Sequence, residues 1–505
     1  MKRTLLCALL LAGCATTSEN KGNETPAAVS ESEARMKPVA SAKAEQPIGW
    51  EPLPDALKAD PSKLKIPPLD FDVKKPEHLT LPNGLQLYII ADRAVPLINI
   101  RAQIVLGSFE ESADKLGVAD AMFDVMTSGG AGKLDADALD DLLEFKAAEL
   151  SAGAGDEISS VDLNIRSEDL DELFPVFADV LLRPKFQKDR FDVSISRAIE
   201  GVKRRVDSPD GLAARAVRKA VYGPDSIFGR EKTEKTLKAI TIPDLQKFHH
   251  LISPKNTSLL ITGDFDKDQM VKRVKELFGS WTGGEPPKRN YPAAQKLTRR
   301  VIFVPRDVAQ AKVRIGTYGF KRLDPNEYAA RVMATALGGG IGAGRMYKEV
   351  RDQMGLAYSA WASVQPGPTT GMFLAGCDTR PEQASKAVDA SLKILDEARG
   401  KRPFDKSELA LASDMYLNSF AFRFDEPDKI VREKAVYDVF GYPDDYLNHF
   451  RDNIAKVDVP AATKSAADII QPDTLQIVVV GPAAKVGDLS KFGPVTTITD
   501  VEAFK

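Results

Sequence analysis

Apolar and polar positions alternate with a period of two from Leu79 to Ile90, around the turn-forming pair Asn83-Gly84, and this predicts a β-hairpin where the folded region begins. Residues 97–106 predict a second strand. From Leu116 the spacing lengthens to that of a helix. Residues 136–150 read as a Leu-rich amphipathic helix, and 167–182 and 188–206 as further helices. Two distant passages share one pattern. Residues 253–263 (Ser-Pro-Lys-Asn-Thr-Ser-Leu-Leu-Ile-Thr-Gly) and 471–481 (Gln-Pro-Asp-Thr-Leu-Gln-Ile-Val-Val-Val-Gly) each set a Pro-containing turn before a β-rich run that closes on glycine. Each also follows a helical stretch. An internal duplication accounts for the repeat, with Pro286-Pro287 marking the joint between two α+β units of similar build.

The N-terminus follows another pattern. A basic start and a short apolar run lead to Leu11-Ala12-Gly13-Cys14. The run is too short to span a bilayer and has the form of a secretory signal over residues 1–14. Its ending resembles the bacterial lipobox, which makes Cys14 the expected lipid-attachment residue. Residues 15–70 are rich in Ser, Ala, Glu, Lys and Pro and poor in apolar side chains, so they are expected to form a disordered tether. Ala15 is not the aspartate associated with inner-membrane retention. The expected location is therefore the bacterial cell envelope, lipid-anchored at the outer membrane and facing the periplasm. Cys377 is the thiol left outside the signal and is expected to be a small buried residue.

Composition narrows the chemistry. The chain has 505 residues, more than one core usually serves. Lys and Arg total 69 against 72 Asp and Glu, a net charge of -3, so no basic excess exists to neutralise a nucleic acid. The glycine run 338–344 lacks the order of a dinucleotide loop, and no G-x-S-x-G elbow occurs. Four histidines are present: His78 just ahead of the first strand, His249 and His250 at the end of a helix, and His449 in a helical stretch.

Leu81-Pro82-Asn83-Gly84-Leu85, then Gly107-Ser108-Phe109-Glu110-Glu111, then Gly117-Val118-Ala119 resemble the N-terminal half of the pitrilysin/insulinase-type zinc peptidases. The likeness continues through Leu182-Arg183-Pro184, residues 245–263 and residues 338–358. It implies an α+β fold of two homologous peptidase-like domains forming a clamp on an extended peptide, each an antiparallel-rich sheet with packed helices. The expected boundaries are residues 71–285 and 286–505.

The family's inverted zinc motif, H-x-x-E-H, sets two histidines on one helix face and a glutamate between them that activates water. Here Asp120 and Asp124 stand at the histidine positions and Phe123 at the glutamate. A phenyl ring can neither take a proton nor orient water. Glu200 falls near the family's third ligand, so Asp120, Asp124 and Glu200 are candidates for a three-carboxylate cluster suited to a hard cation, or else for a remnant in which Glu200 is held by a nearby Arg or Lys. No zinc or other cofactor is expected in this chain.

In the second half, the resemblance implies that Arg351 and Tyr358, seven positions apart and flanked by Gly355-Leu356-Ala357, contact the substrate carbonyl beside the scissile bond. From pattern alone, Arg351 pairing with a helix carboxylate and Tyr358 opening a half-buried strand is the favoured reading, and it is the resemblance that reverses the preference. The resemblance implies a zinc-less subunit whose partner, a zinc-bearing peptidase chain of the same family, completes the site and cleaves a peptide. The alternatives are a peptide-binding or scaffold protein on an inactive peptidase fold, and a hard-metal hydrolase.

Overall fold

The computed structural model describes residues 75–499 apart from Ile341. The expected signal, Cys14 and the tether lie outside the described residues. Two sheets carry the fold. The first contains β1 (Glu77–Thr80), β2 (Gln86–Ala91), β3 (Leu97–Ile104), β4 (Glu149–Gly153), β5 (Ser159–Arg166) and β6 (Thr257–Gly263), in the order β1-β2-β6-β3-β5-β4. The second contains β7 (Arg300–Pro305), β8 (Ala311–Tyr318), β9 (Phe320–Lys321), β10 (Ala357–Gly367), β11 (Met372–Thr379), β12 (Gln476–Gly481) and β13 (Val495–Thr497), in the order β13-β7-β12-β8-β11-β10-β9. Helices pack on both sheets, and the fold is α+β.

The duplication holds residue by residue. Gln86 of β2 pairs in parallel with Ser258 of β6, as Arg300 of β7 pairs with Gln476 of β12. Ser258 in turn opposes Gln103 of β3, and Gln476 opposes Gly316 of β8. The two registers therefore equate Arg101 with Arg314 and Asn99 with Lys312. Across the next strands, Arg101 opposes Asp162 and Asp162 opposes Ser151, while Arg314 opposes Gly376 and Gly376 opposes Trp361.

Each half also lends a helix to the other. The helix Pro209–Tyr222, from the first half, lies on β8 and β12; the helix Pro427–Val439, from the second, lies on β6 and β2. Leu212, Ala216, Val217 and Val221 seat the first helix among Ile302, Val304, Val478 and Val480. Gly316 makes the approach feasible, since a Cβ there would stand 2.5 Å from Val217 Cγ2. Tyr88 of β2 donates to Asp438 of the second helix at 2.7 Å. The exchange explains the composition of the central strands. β12 (Gln-Ile-Val-Val-Val-Gly) is buried on both faces and carries a continuous apolar run instead of alternation.

Two expectations need correction. The helix over 136–150 is shorter, Ala136–Phe145, because the chain turns at Ala147 with φ 49° and the alternating run Glu149–Gly153 pairs as β4 with β5. His78 is not ahead of the first strand but within β1, stacked on Tyr88 with ring centroids 4.3 Å apart. Cys377 is fully buried, and burial pushes its thiol up to about 12.

Candidate functional site

The motif positions ride on the helix Val118–Ser128, which starts at Gly117 in the left-handed region with φ 101°. A Cβ at Gly117 would come within 2.6 Å of Leu237 Cδ2, so the tight entry needs glycine. The buried Glu111 carboxylate accepts from the amides of Gly117 at 3.0 Å and Ala119 at 2.9 Å, satisfying donors that a helix start leaves open. Burial pushes Glu111 up to about 7, against the pull of those two bonds. This acceptor was missed in the sequence, although Glu111 closes the run 107–111 that carries the family likeness.

Asp120 and Asp124 lie one turn apart on the open face of this helix, whereas Phe123 is 1% exposed and belongs to the first core. Each carboxylate of the expected cluster has its own cation. Lys232 donates to Asp120, Arg197 lies 3.9 Å from Asp124, and Arg204 donates to Glu200 at 2.8 Å from the next turn of the same helix. Among the described residues no group of three or more His, Cys, Asp or Glu side chains is placed to hold a metal. The three carboxylates are thus not brought together as a metal cluster, and each lies beside a guanidinium or ammonium instead. These residues do not fit zinc: they offer neither imidazole nor thiolate, and the water-activating position is a core phenyl ring. A cleft of about 190 Å³ remains beside Asp120, lined by Glu111, Arg205, Arg230 and Lys232. Lys232 gave no local signal, being 112 residues from its partner.

The Arg/Tyr pair is built differently. Arg351 sits in Tyr347–Gln353, a segment wound as a π-helix, and Tyr358 is the second residue of β10. The guanidinium carbon lies 4.4 Å from the Tyr347 ring centre and 5.6 Å from that of Tyr358. Two aromatic faces thus hold the cation while leaving its N–H donors available. Tyr358 is 76% exposed. No carboxylate among the described residues pairs with Arg351. The nearby Arg345 shows what a structural arginine looks like here. It is buried over Phe404, bonded to both oxygens of Glu408 and to the carbonyls of Arg402 and Pro403. The Arg/Tyr pair and the motif helix lie on different sheets.

Residues 89–226 match the profile described as insulinase (peptidase family M16), and residues 239–416 that of the peptidase M16 inactive domain. An uncharacterized zinc protease of Mycobacterium tuberculosis is 25% identical over 327 residues, 64% of this chain and 74% of its own. The uncharacterized zinc protease YmxG of Bacillus subtilis is 24% identical over 330 residues, 63% of this chain and 77% of its own. Among solved structures, a peptidase M16 inactive domain from Pseudomonas fluorescens has a TM-score of 0.73 at 20% identity, covering 81% of this chain and 98% of that one. A protease from Helicobacter pylori gives 0.70 at 19% identity, covering 81% and 100%.

Proposed function

Since the chain belongs to the insulinase-type (M16) peptidase family and carries that peptidase fold without its zinc motif, we propose that it is the non-catalytic, substrate-binding subunit of a zinc metallopeptidase heterodimer. Zinc would be held by the partner, a family member with an intact H-x-x-E-H motif, and this chain would supply Arg351 and Tyr358 to the partner's site. The observation that carries the reading is the contrast between the two half-sites. Asp120, Asp124 and Glu200 each lie beside a cation (Lys232, Arg197 and Arg204), whereas Arg351 lies against two rings and, among the described residues, pairs with no carboxylate, beside an exposed phenol.

When water adds to a peptide carbonyl, negative charge collects on the carbonyl oxygen. A guanidinium and a phenol are donors that bind that oxygen more strongly as its charge grows, which lowers the barrier. Cys14 would tether the subunit to the envelope membrane, at the periplasmic face of the outer membrane. A single acyl chain binds membranes only marginally, so firm anchoring implies multiple acylation.

Reconstitution tests the reading. Alone, the purified chain should cleave no peptide, and mixing it with the zinc-bearing chain should produce cleavage that neither gives alone. A partner fully active by itself, and unaffected by this chain, would leave a peptide-binding or scaffold role instead.

A further inference from the structure

The two halves differ at one pair of equivalent positions in a way that points to a ligand. In the second half, Asp210 at the start of the lent helix Pro209–Tyr222 receives Lys312 at 3.0 Å and Arg314 at 2.6 Å. The same two cations bind Asp378 at 3.0 and 2.9 Å, and Trp361 covers Arg314 with its ring centre 5.4 Å away. This site is charge-balanced and capped by an indole ring.

Its twin is neither. Asp428 follows Pro427 at the start of the other lent helix, as Asp210 follows Pro209. By register, Lys312 is replaced by Asn99, which bonds to Asn164, and Trp361 is replaced by Ser151. Arg101, the counterpart of Arg314, is taken by Asp162. Asp428 is left with Arg432 of its own helix, at 2.6 Å. Where the other half has a lysine and a tryptophan, this half has a cavity of about 260 Å³. Its charged lining is three carboxylates (Glu149, Asp162, Asp428) against two guanidiniums (Arg101, Arg432), one negative charge in excess. Burial holds the Asp428 carboxyl above its ordinary range, although Arg432 and Arg101 pull the other way.

We propose that this cavity binds a basic side chain, a lysine of an extended peptide, whose ammonium plays the part that Lys312 plays in the twin. The molecule itself supplies the precedent, an ammonium held by the equivalent aspartate. The cavity opens beside β4, the last strand of the first sheet, so a peptide running along that edge could lower one side chain into it. The inference rests on the peptide-binding reading above.

The test uses fluorescence anisotropy with two labelled decapeptides, alike except for lysine or norleucine, which keeps the four side-chain carbons of lysine and lacks its ammonium, at the centre. The lysine peptide should bind at least about tenfold more tightly to the wild-type chain, the worth of one charge-assisted bond. Asn99→Lys, which restores the twin's internal cation, and Asp428→Asn should each abolish that preference and leave norleucine binding unchanged. Equal binding of the two peptides, or a preference that survives in both variants, would overturn the proposal. If neither peptide binds, the peptide-binding reading fails, and n-butylammonium decides the pocket separately. Protection of the wild type against thermal unfolding, absent in Asn99→Lys, would uphold a cation site, and no protection would overturn it.

Discussion

Truncating Leu212 to alanine should weaken the half of the molecule to which Leu212 does not belong in sequence. The residue is fully buried on the helix Pro209–Tyr222, which departs from the first half and covers β8 and β12 of the second. Its neighbours Ile302, Val304, Val478 and Val480 are held in the sheet and cannot collapse into the space. A leucine-to-alanine change in such a setting costs about 2–5 kcal/mol, and the rigid sheet argues for the middle of that range, about 3 kcal/mol. Against a total stability on the order of 5–15 kcal/mol, that is a large fraction. Hydrogen exchange read by mass spectrometry over a urea series is the assay, with peptides from β2, β3 and β6 reporting on the first sheet and peptides from β8, β11 and β12 on the second. Since each half lends a helix to the other, the wild type should lose protection in both sheets at one midpoint. Leu212→Ala should move that midpoint down in both together. Two separate transitions in the wild type, or wild-type protection of β8 and β12 in the variant, would refute the interlocked account.

Converting the motif back, with Asp120→His, Phe123→Glu and Asp124→His together, should not yield stoichiometric zinc by metal analysis after dialysis, because Lys232 still faces position 120 and Arg204 still holds Glu200. The same variant should unfold well below the wild type, since position 123 is buried and a carboxyl group there costs several kcal/mol. Glu111 makes stability fall with rising pH: its folded pKa of about 7 exceeds its ordinary 4.5, so the stability due to its protonated form is present below about 4.5 and lost as pH rises through 7. The loss is about 3 kcal/mol, and urea unfolding of Glu111→Gln should show it removed from that window. Cys14→Ser should shift the protein from the membrane fraction to the soluble one, or block signal processing, and unchanged fractionation would contradict the lipid anchor.

Much of the fold could be read from local rhythm. The alternation around Asn83-Gly84 becomes the β1/β2 hairpin, and the two Pro-turn-strand passages become β6 and β12, each set between the equivalent strands of its sheet. The substitution of the motif by Asp120, Phe123 and Asp124 was equally plain, since it depends on residue type alone. What failed depended on distance. The apolar stripe of residues 209–222 says that one face is buried but not on which sheet, so the helix exchange was hidden. The partners of Asp120 and Asp162 come from residues 112 and 61 positions away and leave no trace in spacing. The overextended helix at 136–150 failed for a local reason: Leu150 continues the helical spacing of Leu139 and Leu143 as well as it fits an alternating strand, and the left-handed turn at Ala147 has no glycine to announce it.

The central claim is that Arg351 and Tyr358 act on a substrate bound at the partner's zinc site, and turnover by the assembled pair measures it most directly. Size-exclusion chromatography first establishes that wild type, Arg351→Ala, Arg351→Lys and Tyr358→Phe all associate with the zinc-bearing chain. With assembly intact, Arg351→Ala should lower kcat by roughly a hundredfold, the ~3 kcal/mol expected for one oxyanion donor. Arg351→Lys should recover little, because an ammonium on a flexible stem does not reproduce the planar fork. Wild-type kcat in the Arg351→Ala, Tyr358→Phe double variant, with assembly unchanged, would contradict the account and leave the chain a scaffold.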